Sequence, residues 1–210
     1  MSTKQRILDA ALQLMNARGE RAITTNHIAA ELNMSPGNLY YHFRNKEQIL
    51  AAILRQYSDD LLSHFSPQDS QASTVAHMSD YFDALFMLMW RYRFFYANLP
   101  DILSRNEQMQ QDYAQTQRTL STQITALVES ARAEGLIELR NDDVDDFVAT
   151  LKIVASSWIS YHSAQCGGSI DKAVISAGVK HQLGVIRPIA TDAGRRYIAQ
   201  LEQKYRDQDQ

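Results

Sequence analysis

The stretch from Thr24 to Leu50, TTNHIAAELNMSPGNLYYHFRNKEQIL, holds two short helices joined by a tight turn, and the second opens on Ser35-Pro36-Gly37-Asn38. Proline is tolerated at the first position of a helix, where the missing N–H costs nothing and φ is already near the helical value. Ser35 is therefore the cap and Pro36 the start. Upstream, Thr24 or Thr25 caps a helix whose Ile28, Ala29 and Leu32 form one apolar stripe, and Asn33 and Met34 make the turn. Leu39 and Phe43, four apart, face inward, which leaves Gly37, Asn38, Tyr40, Tyr41 and His42 on or near the outer side. With so little bulk at its tip, such a helix can press its backbone into a DNA major groove, which is about 12 Å wide.

A third helix follows at once. Asn45 with Gln48 three residues on is a capping-box pattern, and Ile49, Ile53 and Tyr57, flanked by Leu50, Leu54 and Leu61, keep helical spacing. Lys46 falls in the first turn, where a cation opposes the helix dipole by a few tenths of a kcal/mol to about 1 kcal/mol and calls for an anionic partner. Free N–H groups at a helix start beside a lysine predict a phosphate site.

These residues resemble the TetR family of bacterial transcriptional regulators. The likeness runs from Thr25-x-x-Ile28-Ala29 through Ser35-Pro36-Gly37-Asn38-Leu39-Tyr40-Tyr41-His42-Phe43-x-Asn45-Lys46-Glu47, together with Arg6-Ile7-Leu8-Asp9-Ala10-Ala11-Leu12-x-Leu14 and its stop at Arg18-Gly19. It covers roughly the first quarter of the chain. The resemblance implies an all-α protein. Its amino-terminal three-helix head would bind DNA, and a larger helical domain would dimerise and enclose an effector pocket. On that division residues 1–56 are the head, with a linking helix to about 65, and 66–210 the second domain.

Placement of the residues agrees with roles in the head. Asn26, Pro36, Gly37, Asn38 and Tyr41 are positioned for base edges, and Thr25, Ser35, Tyr40, His42 and Lys46 for phosphates. Some members of the family carry a cation at the position of Asn26, so a preference for guanine there does not transfer. Two copies on a pseudo-palindromic operator would place their reading helices about 34 Å apart or a little more.

Charge agrees once it is divided. Residues 1–56 hold seven Lys or Arg against four acids, net +3, and the rest is net −6. DNA contact is thus expected at the front end only. The single cysteine, Cys166, excludes an intramolecular disulfide and suits a reducing cytoplasm, with nucleoid association when DNA is bound. The first residues lack the charged-then-apolar layout of a signal, and Ser2 with Gln5 reads as a cap for helix one. No uninterrupted apolar run of about 18 residues predicts a membrane span.

Beyond residue 65, the polar stretch from Ser66 to Thr74 predicts a break. Helices are expected over about Val75–Tyr96, ended by Asn98 and Pro100, then Glu107–Glu134, from Asp142 to Gly167-Gly168, Ile170–Ile186 and Asp192–Tyr205. Asp142, Asp143, Asp145 and Asp146 complement a helix dipole and need no metal. The aromatic run from Tyr81 to Tyr96 reads either as ordinary core or as a pocket wall for a small apolar effector. The candidate pocket set is Phe82, Phe86, Met89, Trp90 and Tyr113, with Trp158 and His162 opposite. By resemblance the two helices before Pro188 pair with their copies, through Phe147, Leu151, Val154, Trp158, Val174, Gly178 and Leu183, although the same faces can simply close the monomer core.

No glycine-rich phosphate loop, H-E-x-x-H or G-x-S-x-G is present, so no catalytic residue, cofactor or metal is expected. The expected partners are double-stranded operator DNA, a second copy of the chain and a small-molecule effector, with no membrane. The leading reading is a homodimeric repressor released by a small, largely apolar ligand. Two alternatives stand: a DNA-bound regulator controlled by a protein partner, and an enzyme that carries a DNA-binding-like head.

Overall fold

Local caps form where the sequence places them. Ser2 Oγ accepts from the Gln5 N–H at 3.2 Å and starts α1 (Thr3–Arg18). Thr24 Oγ1 accepts from the His27 N–H while His27 Nδ1 accepts from the Thr24 N–H, a reciprocal cap for α2 (Thr25–Glu31). Ser35 Oγ accepts from the Asn38 N–H at 3.2 Å, with Pro36 first in α3 (Pro36–His42). Asn45 Oδ1 accepts from the Gln48 N–H and Gln48 Oε1 from the Arg44 N–H, both at 2.9 Å, opening α4 (Lys46–Phe65). Between α2 and α3 the chain reverses at Asn33, whose φ of 51° lies in the left-handed region that a short polar side chain tolerates.

The computed structural model describes residues 1–65, 73–167 and 169–207. The expected break therefore lies, for residues 66–72, outside the described residues, as does Gly168. Six further helices follow: α5 (Thr74–Arg91), α6 (Arg93–Ser104), α7 (Glu107–Ala133), α8 (Val144–Cys166), α9 (Lys172–Ile186) and α10 (Asp192–Asp207). The fold is all-α; among the described residues the sheet-like pairing is an isolated bridge between Ile137 and Ala190.

One boundary differs from expectation. The helix expected to run to Tyr96 breaks at Tyr92 (φ −110°, ψ 27°), and Pro100 lies inside α6 beside a kink at Asn98 (φ −133°, ψ 19°). Asn16 of α1 causes the break to be satisfied from outside: its Nδ2 donates to the Arg91 carbonyl at 2.8 Å, and its Oδ1 accepts from the Phe94 N–H at 3.0 Å. Next to it the Tyr57 and Tyr96 hydroxyls meet at 3.2 Å, and Tyr92 Oη donates to Asp60 Oδ2 at 2.6 Å. Burial pushes all three phenols above their ordinary range, so this joint between α4, α5 and α6 is held by neutral hydroxyls.

In the head, Ile7, Ala11, Met15, Ile28, Leu39, Ile49 and Ile53 are buried together, as the helical spacing predicts. Helix α4 then packs on α5 and α7, while α9 lies against α8, α5 and α10. Gly178 permits the closest approach there: a Cβ added to it would stand 2.5 Å from Trp158 Cδ1 and 3.0 Å from Met89 Cε. Trp158 Nε1 donates to the Val174 carbonyl at 2.7 Å, fixing the indole across that gap.

Candidate nucleic-acid interface

Inward anchoring by Leu39 and Phe43 turns the opposite side of α3 to solvent. Asn26, Ser35, Pro36, Gly37, Asn38, Tyr40 and Tyr41 are exposed, with Tyr41 at 85%, while Thr25, His42 and Lys46 are half-buried. An exposed tyrosine at the centre of a helix face gains nothing from folding. Thr25 Oγ1 and Tyr40 Oη lie 3.1 Å apart, so two of the expected phosphate-side hydroxyls already form one pair, and the Tyr41 and His42 rings meet edge to face.

Gly37 is informative in a different way. A Cβ there would meet nothing closer than Ser35 Oγ at 4.0 Å. The fold does not need glycine at that position, because no packing inside the protein requires its small size.

Lys46 has a partner within the head. Its ammonium, expected to face a phosphate, is turned inward: Nζ lies 2.7 Å from Glu20 Oε1 and donates to the Glu20 carbonyl at 2.6 Å. Glu20, 1% exposed, also accepts two bonds from the Arg105 guanidinium, at 3.0 and 3.1 Å. Burial works to raise the Glu20 carboxyl, but the bonds and charges of Arg105 and Lys46 outweigh it and hold the group below the usual carboxylate range. A local rule about helix starts could not have found this partner, because Glu20 sits 26 residues upstream.

The candidate effector residues are not gathered into one site. Phe82 lines a wholly apolar cavity of about 30 Å³ with Met78, Tyr81, Ile124, Leu151 and Ile186. Phe86 instead stacks on Tyr205 at 6.0 Å, Trp90 lies under the Arg93 guanidinium at 4.0 Å, and Tyr113 packs on Phe95. Met89 and Trp158 meet at Gly178, and His162 rests against Trp158. Most of the aromatic run is thus core, because its rings already have partners.

The residues suggested for a dimer face divide similarly. Leu151, Val174, Gly178 and Leu183 are buried within the monomer, and Phe147, Val154 and Trp158 are half-buried. Their apolarity reflects the monomer core. The outward positions on these helices include Ile153, 62% exposed, and Tyr161, 58% exposed, with Ser157 between them and His181 and Gly184 on α9. Among the described residues no group of three or more His, Cys, Asp or Glu could hold a metal, and no helix is long and apolar enough to cross a membrane.

Comparison with known proteins agrees with the geometry of the head and extends past it. Residues 7–53 match the model of bacterial regulatory proteins of the tetR family, and residues 56–198 match a model described as bacterial transcriptional repressor. The regulator YvkB of Bacillus subtilis is 43% identical over 58 residues, covering 28% of this chain and 31% of that protein. The repressor KstR2 of Rhodococcus jostii is 36% identical over 84 residues, 38% of this chain and 41% of its own. The alignment thus spans less than half of each of these two relatives. A solved TetR-family regulator from Marinobacter aquaeolei aligns over 98% of this chain and 99% of its own, with a TM-score of 0.86 and 30% identity. Ketosteroid regulator KstR2 of Mycobacterium tuberculosis shares the fold, with a TM-score of 0.66 and 20% identity over 91% of this chain and 96% of its own. These relatives are named as transcriptional regulators and not as enzymes. With both halves matched and the exposed, capped α3 in place, the chain belongs to the TetR family of bacterial transcriptional regulators.

Proposed function

We propose that the chain is a homodimeric repressor that binds a pseudo-palindromic operator and is released by a small, largely apolar ligand. The observation that carries the DNA-binding part is α3, whose outer face is exposed around a glycine that the fold does not require. In this reading Asn26, Pro36, Gly37, Asn38 and Tyr41 meet base edges, with Asn able to pair bidentately with adenine. Thr25, Ser35, Tyr40 and His42 hold phosphates, and at the start of α4 the main-chain N–H groups of Lys46 and Glu47, which precede the first intrahelical bonds, do so while the Lys46 ammonium stays on Glu20. Selection of duplexes from a random pool by the full chain, followed by footprinting, tests it. Two protected half-sites about one helical turn apart support the reading; uniform affinity for all sequences overturns it.

Gly37→Ala gives a sharper check because stability and binding should move in opposite directions. Alanine inside a helix is favoured over glycine by roughly 0.5 to 1 kcal/mol, and here its methyl meets no obstacle within the protein. A raised melting temperature with weakened operator binding is expected. Unchanged operator affinity would remove Gly37 from the contact surface.

For the ligand, support comes from the apolar cavity between α5, α7 and α8, into which Phe82 projects. A guest must be apolar, and it must part these helices, because ordinary ligand pockets measure about 300 to 1,000 Å³. By linkage, a guest that weakens DNA binding is itself weakened by DNA to the same factor. Phe82→Trp should fill the cavity, keep operator binding and abolish release by apolar compounds that dissociate the unaltered complex. Release that survives this substitution would place the ligand elsewhere. The second reading, control by a protein partner, draws its support from the packed rings around Phe86, Trp90 and Trp158.

A further inference from the structure

We infer that Glu20 is a positioning residue for DNA binding, through which the end of α6 and the start of α4 are fastened to one point in the head. This rests on the head binding DNA, but it concerns a residue that faces no DNA.

Glu20 lies in the single turn that follows α1, and its carboxylate is buried between two cations from distant parts of the chain. Arg105 immediately follows α6 and grips both carboxylate oxygens in a planar, two-bond arrangement, which fixes direction as well as distance. Lys46 begins α4 and binds the same carboxylate and the carbonyl of the same residue. Arg105 is also paired with Asp101, which in turn holds Arg21 of the head at 2.8 Å. The Arg21–Asp101 pair is exposed and should count for little, whereas the Glu20 bonds are shielded from water.

Two consequences follow from this geometry. First, the Lys46 ammonium is held inward against Glu20 and is withdrawn from the counterions that DNA binding releases. Second, Arg105 and Lys46 belong to different helices and both depend on Glu20, so a displacement of the α6 end reaches the α4 start through that carboxylate. The low carboxyl pKa keeps Glu20 ionised under ordinary binding conditions, so the link does not open near neutral pH.

The test uses the full chain and a duplex selected by the unaltered protein from a random pool, with anisotropy titrations over a range of KCl concentrations. Binding by the unaltered protein checks the DNA-binding reading by itself, separately from the variants. Arg105→Gln should weaken binding about tenfold, and in a Glu20→Gln background the same change should add less than about twofold, since residues in one network are not additive. Glu20→Gln should also steepen the dependence of log K on log salt by about 0.9 per head, because the Lys46 ammonium is no longer held inward and can reach a phosphate. A purely structural role would not move that slope in this direction. Arg105→Lys, which keeps the charge and loses the two-bond grip, should fall between, and Arg21→Ala should stay within about twofold of the unaltered protein. Should Glu20→Gln fail to fold, the Arg105 pair alone decides, because that side chain is 32% exposed and its loss leaves Glu20 paired with Lys46. An equal Arg105→Gln effect in both backgrounds, an unsteepened slope, or full affinity in Arg105→Gln each overturns the inference.

Discussion

Gly194→Ala should lower the stability of the chain by about 3 kcal/mol, the upper end of what overpacking commonly costs. Gly194 lies in the first turn of α10, and a methyl placed on it would run into the main-chain oxygen of Leu136, standing 3.1 Å from the carbonyl carbon and 3.3 Å from Ala190 Cβ. Neither side can yield. The Leu136 oxygen accepts from the Thr191 N–H at 3.1 Å and from Thr191 Oγ1 at 3.2 Å, and the Glu138 N–H donates to the Ile189 carbonyl at 2.7 Å, so two chain segments are laced together at this point. The Gly194 N–H is itself capped by Thr191 Oγ1 at 3.2 Å. For a chain of this size the loss corresponds to a fall in melting temperature of about 6 to 12 °C, readable by calorimetry. A fall below about 2 °C would mean that α10 shifts freely against the loop after α7.

Ile153→Glu should have the largest effect on operator binding while leaving the fold intact. Ile153 is 62% exposed on α8, so the new carboxylate meets water in the monomer. In the proposed dimer the same position would meet the partner copy, where an unpaired charge is strongly disfavoured. Losing the second head removes the effective-concentration advantage of a two-site complex, about 100-fold or more in affinity. Sedimentation should show a monomer with an unchanged helical circular dichroism spectrum, and operator titration should show the loss. A dimer that persists with full operator affinity would place the interface on another face.

What could be read from the sequence followed how far each cause reaches along the chain. Ser35, Pro36, Asn45 and Gln48 act within a turn of themselves, and the structure forms those caps where spacing placed them. The inward set of α4 was legible for the same reason. The break at Tyr92 was not, because the groups that satisfy it come from Asn16, more than 70 residues away, while Pro100 offered a more visible but wrong stop. The Glu20 partner of Lys46 was hidden for the same reason: the dipole rule is local, and Glu20 and Arg105 are brought to it only by folding. For the pocket and the dimer face, residue type was a poor guide. Leu183 and Ile153 are equally apolar, yet one is fully buried and the other open, and only the crossing of α8 over α9 decides which. Tyr41 shows the converse, since a large exposed ring on a well-packed helix marks a surface kept for something else.

The cavity beside Phe82 holds no more than about one water's volume. In the proposed reading, a guest larger than that requires α5, α7 and α8 to part, and opening ahead of entry has a kinetic signature. Its rate of entry should then rise with concentration only until that separation becomes limiting, and level off at a value set by the protein alone. If such a guest releases the operator as proposed, release would respond to how long it persists as much as to how much of it is present.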